Sequence, residues 1–349
     1  MKRLAVIISP NYKDYASRYL VDCARSLSEQ SFSDFDLFLV DNESSETSYN
    51  YLRDVVPAAH ILRCEHNAGF AGGNNTALQV VIEKQYEYAL LLNMDTVISK
   101  DCLEKLIMAA DAHDDAAAIQ ARLMLWPDTK KINSLGNEMH FLGFGFCRAY
   151  QHSYSPASIA FPEIAYPSGA GVLLRVSVLR AVGLFDEEMW MYNEDQDLGW
   201  RFWLAGYRCL LAPEAVVYHK YEFSRSIQKY YWMDRNRLIA ILKNYHALTL
   251  LFILPALVMM EAGLALFSLQ SGWWKEKLKV WQYFLSYKHW NYIMRERRRI
   301  QSTRRIREKK IAALISGRIW YQEIDDAKLR LINPVFDAYW KILRYIMWW

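Results

Sequence analysis

Cysteine is sparse in this chain of 349 residues. The five cysteines are scattered and odd in number, at positions Cys23, Cys64, Cys102, Cys147 and Cys209. A disulfide framework or a zinc knuckle needs closely patterned cysteine pairs, so neither kind of site is expected. The thiols are predicted to stay reduced, as is usual for proteins of the cytosol.

Long hydrophobic runs are lacking as well. The apolar stretch after the first two cations is too short for the core of a signal peptide and predicts a buried strand instead. Leu248–Met260 is free of charge but has only thirteen residues, whereas a membrane-spanning helix needs about 20. An extension to Leu269 reaches that length but includes Pro255 and Glu261.

The charges are unevenly distributed along the sequence. With 53% apolar and 23% charged residues, the composition is that of a folded protein. Between Ser271 and Arg318 there are fourteen Lys and Arg against three Asp and Glu, a local charge of +11, so the remainder carries −7 of the total +4. Such a basic segment predicts an anionic surface as a partner.

The first half alternates between strand and helix patterns. Strands are predicted at Leu4–Ser9, Phe35–Val40, His60–Arg63, Tyr88–Leu92 and Ala116–Arg122, each separated from the next by a helical pattern. Strands and helices in this order predict a nucleotide-binding, mostly parallel sheet flanked by helices. Ligands of such sheets bind beyond the carboxyl ends of the strands.

The loops at those ends carry polar side chains and glycines. Asp41 ends the second strand, where its carboxylate is suited to accept a hydrogen bond from a pyrimidine N–H, although an Asx turn would also explain it. Gly69, Gly72 and Gly73 would let backbone amides approach a phosphate at a helix N-terminus. Their spacing differs from the G-x-G-x-x-G fingerprint of dinucleotide-binding proteins.

A candidate metal loop follows the fourth strand. Asn93 and Asp95 flank Met94, and two oxygen-bearing side chains on a tight turn can face one cation when a diphosphate supplies further ligands. A simple turn before the next helix is the alternative. His219 ends the last strand-like run and is a candidate third ligand, which would favour Mn²⁺.

Acidic residues cluster around an aromatic run later in the chain, namely Glu187, Glu194, Asp195 and Asp197. Apolar surroundings keep a carboxylate basic enough to accept a proton. The alternative is a helix start, with Asn193 as N-cap and the acids complementing the helix dipole.

Taken in order, the motifs resemble those of family 2 inverting glycosyltransferases of the A-type fold, and among them the bacterial rhamnosyltransferase-like branch. The similar segments are Pro10-Asn11-Tyr12, VDNESSE at 40–46, NAGFAGGNN at 67–75, LLNMDT at 91–96, SGAGVLLR at 168–175, VGLFDEEMWMYNEDQDLGWR at 182–201 and the trailing His219. The resemblance covers residues 3 to about 225 and continues more loosely to about 315.

The resemblance implies a role for each motif. Asp41 would bind the base, and further nucleotide contacts would come from Pro10, Asn11, Tyr12, Asn42, Asn67, Gly69, Gly72, Asn75 and Asn93. Asp95 and His219 would bind Mg²⁺ or Mn²⁺, Asp195 beside Glu194 would be the catalytic base, and Gly169, Ala170 and Trp190 would contact the sugars. The family often has Ala-Arg-Asn where this chain has Gly73-Asn74-Asn75, so an arginine contact to phosphate is not expected here.

The implied reaction moves one sugar with inversion. A single carboxylate deprotonates the acceptor hydroxyl, and the nucleoside diphosphate leaves without needing a proton. The expected donor is dTDP-L-rhamnose and the expected acceptor a polyprenyl-diphosphate-linked glycan of cell-surface (cell wall) polysaccharide biosynthesis. UDP-galactose, UDP-GlcNAc or GDP-mannose are alternative donors, and a non-catalytic membrane module that binds nucleotide sugar or lipid is an alternative of another class.

Processive synthases of this family carry the motif Gln-x-x-Arg-Trp. The corresponding segment here is Gln228-Lys229-Tyr230-Tyr231-Trp232, which has tyrosine in place of the arginine. This difference favours single-sugar addition.

The second half, from about residue 226, is helical, aromatic and basic. We expect a catalytic domain at 1–225 and a membrane-associated helical region at 226–349. A single span at 247–269 would place the basic run 295–310 on the side opposite the catalytic domain, against the positive-inside rule. The sequence therefore favours a peripheral or monotopic protein on the cytoplasmic face of the cell membrane, with the basic run on anionic headgroups.

Two segments leave alternatives open. AYWKILRYIMWW at 338–349 is either a second anchor or an oligomer contact. The region 135–166 is expected to shape the acceptor pocket, where aromatic residues such as Phe141 would either stack on sugar rings or pack in a core. No nucleic-acid-binding module is recognisable.

Overall fold

The computed structural model describes residues 3–13, 15–155, 163–221, 228–320 and 327–349, except for the side chains of 228 and 327–330. The chain forms two compact units. The first contains residues 1–137, 147–202 and 207–222, and the second contains residues 138–146, 203–206 and 223–349. The boundary between a catalytic domain and a helical region at residue 225 stays a prediction.

Strands and helices alternate through the first half of the chain, and helices dominate the second half. The strands are β1 (Leu4–Asn11), β2 (Phe35–Asn42), β3 (His60–Cys64), β4 (Tyr88–Leu92), β5 (Thr96–Ile98), β6 (Ala116–Leu125), β7 (Ile132–Ser134), β8 (Asn137–His140), β9 (Gly145–Cys147), β10 (Gly171–Arg175), β11 (Arg208–His219) and β12 (Ile315–Ser316). The helices are α1 (Tyr15–Ser28), α2 (Glu46–Val55), α3 (Gly69–Glu83), α4 (Cys102–Asp111), α5 (Val176–Val182), α6 (Glu194–Leu204), α7 (Gln228–Asn244), α8 (Ala247–Gln270), α9 (Trp274–Leu285), α10 (Tyr287–Ser302), α11 (Glu308–Ala312) and α12 (Ala327–Ile346).

The first unit is built on a nine-stranded sheet with the order β3-β2-β1-β4-β10-β6-β11-β5, and β7 pairs with β6. β1, β2, β3 and β4 are mutually parallel, as their apolar runs predicted. β10 is antiparallel to both of its neighbours, β4 and β6. The α/β class and the flanking helices are confirmed, and the antiparallel β10 makes the second half of the sheet mixed.

Burial explains why the central strands are apolar throughout. Every residue of β4 is buried, as are all residues of β1 except Pro10, because helices cover both faces of such a sheet. On α1 the buried apolar residues Ala16, Leu20, Cys23 and Leu27 recur every three or four positions and pack into the same core. The sheet is therefore a rigid base for the loops at its edge.

The second unit is mainly helical. It also contains a small sheet in which β12 pairs in parallel with β8, beside β9. Phe141 is fully buried and stacks on Trp340 with ring centroids 5.1 Å apart. Of the two alternatives for this aromatic residue, packing in a core is therefore the one found. Residues 156–162 of the predicted acceptor region lie outside the described residues.

Candidate active site

The carboxyl ends of β1 and β2 bring the first polar residues together. Asn11 lies opposite Asp41 in the strand register, and its Nδ2 donates to Asp41 Oδ1 over 3.4 Å. Ser44 donates to the same oxygen. Asp41 is fully buried, yet its Oδ2 has no hydrogen-bond partner. That oxygen lies beside the guanidinium of Arg63 and has a further lone pair for an N–H of a bound base.

An open groove begins beside Asp41. It has a volume of about 400 Å³, and Ser44 and Arg63, which both contact Asp41, contribute to its lining. Arg63 Nε lies 3.3 Å from Asp41 Oδ2, and its guanidinium covers the ring of Tyr49. Arg63 was not among the predicted site residues, although it lies near the end of β3, the next strand of the sheet. A larger groove of about 630 Å³ lies along α2 and contains none of the predicted site residues.

Asn42 and Asn67 hold the loop before α3 in place. Asn42 Nδ2 donates to Asn67 Oδ1 over 2.9 Å, and Asn42 Oδ1 accepts from the amide of Ala68. Asn67 Oδ1 also accepts from the amide of Gly69. These amide side chains are therefore engaged within the loop, and a nucleotide contact by either stays a prediction.

The glycines in the first turns of α3 permit close packing, since this helix begins at Gly69. Gly69 has φ +69°, and a Cβ there would lie 2.3 Å from the carbonyl oxygen of Trp190. A Cβ on Gly72 would lie 2.7 Å from that of Ala68. Asn75 is tied to the backbone of Phe185 by hydrogen bonds in both directions. The loop and the segment around residues 185–190 are thus packed into one structure.

Two further predicted nucleotide contacts lie beside this loop. A Cβ on Gly73 would lie 2.3 Å from Cγ of Pro10, so α3 begins directly against the end of β1. Tyr12 is 39% exposed, and Lys13 Nζ lies 5.1 Å from the centre of its ring. Tyr12 is thus the member of the Pro10-Asn11-Tyr12 motif whose side chain is open to solvent.

Asp95 and His219 face each other at the candidate metal site. β5 and β11 pair so that His219 lies opposite Thr96, and His219 Nε2 is 3.3 Å from Asp95 Oδ1. That buried oxygen has no hydrogen-bond partner. Burial acts to raise the pKa of Asp95, but His219 and Tyr15 beside it hold the pKa below the usual value. A charged carboxylate oxygen thus lies beside an imidazole nitrogen at a separation that suits two adjacent ligands of one cation.

Asn133 orients the histidine ring. Its Oδ1 lies 2.9 Å from His219 Nδ1, so with the proton on Nδ1 the lone pair of Nε2 points at Asp95. No sequence pattern pointed to Asn133, because it belongs to the three-residue strand β7 and is 86 positions from His219.

The candidate metal site has few protein ligands. The side-chain oxygen of Asn93, the residue two positions before Asp95, accepts a hydrogen bond from Ser9 Oγ over 2.7 Å. Among the described residues there is no group of three or more His, Cys, Asp or Glu side chains arranged to hold a metal. A site with two protein ligands matches Mg²⁺ or Mn²⁺ bound together with a diphosphate, which supplies the remaining oxygens.

The two acids at the start of α6 have different environments. Burial raises the pKa of Asp195 to about 6, while hydrogen bonds from the amides of Gln196 and Gly169 partly offset that rise. Burial and the adjacent charge of Asp195 raise the pKa of Glu194 well above its usual value. Glu194 Oε2 is buried without a hydrogen-bond partner. The pKa values of both acids are therefore raised, and for Glu194 the charge of Asp195 adds to the effect of burial.

The segment before these acids is strained. Trp190, Tyr192 and Asn193 all have positive φ, at 58°, 68° and 65°. Such conformations cost roughly 1–3 kcal/mol each for residues other than glycine, and they concentrate at functional sites. Trp190 is half-buried, and its Nε1 donates to the carbonyl of Asn67 over 3.3 Å. The strained segment thus connects the nucleotide loop to the acids.

The other two acids of the cluster have structural contacts. Asp197 accepts from Arg201 Nε over 2.9 Å, and Arg201 also donates to three backbone carbonyls at residues 182–184. Glu187 accepts from Asn75 over 2.9 Å. A structural role at the start of α6, the alternative to catalysis, therefore suits Asp197 better than Asp195.

One turn links the metal loop to the acids. The amide of Gly169 donates to the carboxylate of Asp195, and the carbonyl of Ala170 accepts from the amide of Asn93 over 3.1 Å. A Cβ on Gly169 would lie 2.7 Å from the ring of Phe70, so this turn also packs against the loop before α3. The sequence motifs are thereby assembled at one edge of the sheet.

Sequence comparison identifies the family. The family described as Glycosyl transferase family 2 matches residues 6–183, which is more than half of the chain. The chain belongs to glycosyltransferase family 2. The family expected from the motifs is therefore confirmed. An N-acetylglucosaminyl-diphospho-decaprenol L-rhamnosyltransferase of Mycobacterium tuberculosis is 25% identical over 62% of this glycosyltransferase and 74% of the relative.

Solved structures agree with the A-type fold. GalNAc-T7 with UDP, GalNAc and Mn²⁺ has a TM-score of 0.54 at 11% identity, over 69% of this glycosyltransferase and 48% of that chain. TarS of S. aureus has a TM-score of 0.51 at 18% identity, over 99% of this glycosyltransferase and 54% of that chain. This glycosyltransferase thus spans about half the length of each. At these identities the similarity shows the fold alone.

Proposed function

We propose that this glycosyltransferase moves a single sugar, with inversion, from dTDP-L-rhamnose to a lipid-linked saccharide. The observation that carries the proposal is the turn at 168–171, which contacts both the metal loop and the candidate base. A donor diphosphate at Asp95 and an acceptor hydroxyl at Asp195 would thus meet across this turn. The name of the Mycobacterium tuberculosis relative supports rhamnose as the sugar.

Residues of the sheet edge would bind the donor. Asp41 would accept from the N–H of the thymine base through Oδ2, which makes no hydrogen bond and lies 3.3 Å from Arg63 Nε. Asp95 and His219 would hold Mg²⁺ or Mn²⁺, which when bound neutralises the diphosphate as it leaves. A GalNAc-T7 structure with UDP and Mn²⁺ has the same fold, which supports a divalent ion here.

Asp195 would act as the base for inversion. Because its pKa is near 6, it is charged at neutral pH and more basic than an ordinary aspartate. Its carboxylate takes the proton of the acceptor hydroxyl while that oxygen attacks the anomeric carbon from the face opposite the diphosphate. Burial and the adjacent charge of Asp195 raise the pKa of Glu194 and favour its protonated form, which leaves Asp195 as the proposed base of the pair.

The acceptor would be a glycan on a polyprenyl diphosphate, used for cell-surface polysaccharide. The name of the curated relative contains such a carrier, N-acetylglucosaminyl-diphospho-decaprenol. The chain has one helix that is long and apolar enough to cross a membrane among its described residues, Ala247–Gln270. Both observations support work at the cytoplasmic face of the membrane.

The test is a donor screen with the purified full chain, Mn²⁺ and a short-chain polyprenyl diphosphate-GlcNAc acceptor. Release of dTDP together with a rhamnosylated lipid would support the proposal. Turnover of UDP-galactose, UDP-GlcNAc or GDP-mannose instead would keep the reaction and change the donor. A folded protein that releases no nucleoside diphosphate from any donor in the presence of the acceptor would refute transferase activity.

A further inference from the structure

Exposed apolar side chains are concentrated in the second unit. Among the described residues, all but four of the exposed large apolar side chains belong to this unit. On α8 the exposed members are Leu251, Phe252, Leu254, Val258, Met259, Leu266 and Leu269. On α12 they are Leu331, Val335, Ile342, Tyr345 and Ile346. Patches of this size on a protein surface usually mark a binding interface.

Each of these helices is apolar on two faces. The inner face of α12 buries Phe336, Trp340, Leu343 and Met347. Its outer face repeats apolar residues at the same helical spacing, from Leu331 to Ile346. A helix on the surface of a soluble protein normally has a polar outer face. The outer faces of α8 and α12 therefore require a second apolar environment.

The C-terminal end of α12 contacts the first turns of α8. The indole of Trp349, just after α12, stacks on Phe252 of α8 with ring centroids 5.7 Å apart. Its Nε1 donates to Thr249 Oγ1 over 2.9 Å, and Tyr339 Oη donates to the carbonyl of Phe252 over 2.5 Å. The end of α12 is thus fixed to the beginning of α8. We call the combined exposed faces of α8 and α12 the apolar platform.

Cations lie next to the platform. The amide of Lys309 donates to the carbonyl of Trp349 over 3.1 Å, which places the exposed Arg307, Lys309 and Lys310 beside the end of α12. They belong to the segment with a local charge of +11. An apolar surface bordered by cations is complementary to anionic phospholipid, whose phosphates lie just above its acyl chains.

The one charged residue of α8 is held on the protein side. Glu261 Oε2 accepts from Lys277 Nζ over 2.6 Å, and its other oxygen accepts from Arg237. Asp234 completes this buried network, with Lys277 Nζ 2.7 Å away. A helix that crossed the bilayer with these contacts intact would carry the network into the hydrocarbon, which is costly. The network therefore favours a helix lying along the membrane surface.

We propose that the apolar platform rests in the headgroup and acyl boundary of an anionic phospholipid bilayer and does not cross it. Arg307, Lys309 and Lys310 contact the lipid phosphates. The inference deepens the proposed function, since it supplies the surface through which an enzyme acting on lipid-linked glycan would meet its membrane. The apolar platform thus binds a lipid bilayer, and only one face of each helix is inserted.

The first experiment is co-sedimentation of the full chain with vesicles of phosphatidylcholine alone or with 30% phosphatidylglycerol. We expect binding to the anionic vesicles and an at least tenfold loss in the double variant Val258→Glu/Ile342→Glu. Met108→Glu is the matched control, because Met108 is 64% exposed on α4 of the first unit. Lys309→Glu/Lys310→Glu should reduce the preference for anionic vesicles. Thermal melts of all variants verify folding.

A second measurement separates surface insertion from a span. A cysteine at the exposed Ser271, just after α8, should react fully with an impermeant maleimide added outside sealed vesicles, above the background of the parent chain. Protection of that cysteine would mean that α8 crosses and would overturn the proposed mode. A stable dimer that Val258→Glu dissociates, without vesicle binding by the parent, would show that a second copy covers the platform. Neither assay needs sugar transfer, so a failed donor screen leaves this inference standing.

Discussion

At the residue scale, position separates the roles of two adjacent acids. Asp195 receives amide hydrogen bonds from Gln196 and Gly169, which stabilise its charged form, whereas Glu194 is buried next to that charge. Two carboxyl groups in one environment would have similar proton affinities. Burial raises the pKa of both acids, but the amide hydrogen bonds to Asp195 partly offset the rise there, so the two pKa values differ.

The substitution Asp195→Asn tests the base. Asparagine keeps the shape but cannot accept the proton, so we expect kcat to fall about 10²–10⁴-fold with donor affinity unchanged. Glu194→Gln is the matched control, because glutamine resembles the protonated acid already present, and kcat should stay close to that of the parent chain. Steady-state kinetics and donor titration calorimetry measure both effects. An equal loss in Glu194→Gln would assign the base to Glu194 instead.

The pH profile gives an independent test of the same residue. Only charged Asp195 accepts a proton, and its pKa is about 6. The transfer rate should therefore be constant at higher pH and fall about tenfold per unit as the pH drops below that value. A rate that stays constant down to pH 4.5 would contradict the raised pKa.

Asn133 is expected to act through His219. Without its carbonyl, the imidazole loses the partner that fixes its proton on Nδ1, and the affinity for Mn²⁺ should fall roughly 10–100-fold in Asn133→Ala. Asn133→Asp keeps an acceptor at this position and should retain most of the affinity. The electron paramagnetic resonance signal of free Mn²⁺, in the presence of dTDP, reports binding without any turnover. Unchanged affinity in Asn133→Ala would show that the residue has no role in positioning.

At the element scale, the start of α3 depends on backbone packing more than on its side chains. The sequence pattern correctly predicted a helix after the glycine-rich loop, but it suggested that the glycines serve a phosphate. In the structure, Gly69 lies against Trp190 and Gly73 lies against Pro10. These close approaches join segments 121 and 63 positions apart, which no local pattern encodes.

Gly69→Ala should therefore destabilise the protein. The positive φ costs roughly 1–2 kcal/mol for alanine, and the overlap with the Trp190 carbonyl adds to it. Gly272→Ala is the control for the backbone term alone, since Gly272 has φ +79° and no atom within 4 Å of an added Cβ. Chemical denaturation of both variants isolates the steric contribution. Equal losses at the two sites would mean that the Trp190 contact relaxes.

At the scale of the whole molecule, the core and the candidate metal site are separable. The core cluster is formed by apolar residues of the sheet and its helices, whereas the proposed metal ligands Asp95 and His219 lie at the sheet edge. EDTA should therefore stop nucleoside diphosphate release while leaving the melting temperature of the free protein within a few degrees. A large fall in melting temperature on chelation would show that the metal also holds the fold.

The amino-acid sequence alone predicted the family, the first four parallel strands and the polar strand ends near Asp41 and Asp95. It did so because buried parallel strands must be continuously apolar and their polar loops must then follow at the carboxyl ends. Only the tertiary structure decided that β10 runs antiparallel and brings its turn between Asn93 and Asp195. Only the tertiary structure paired Asn133 with His219 and turned Glu261 inward on α8. These contacts join distant parts of the chain, and their energies depend on burial and geometry that neighbouring residues do not specify.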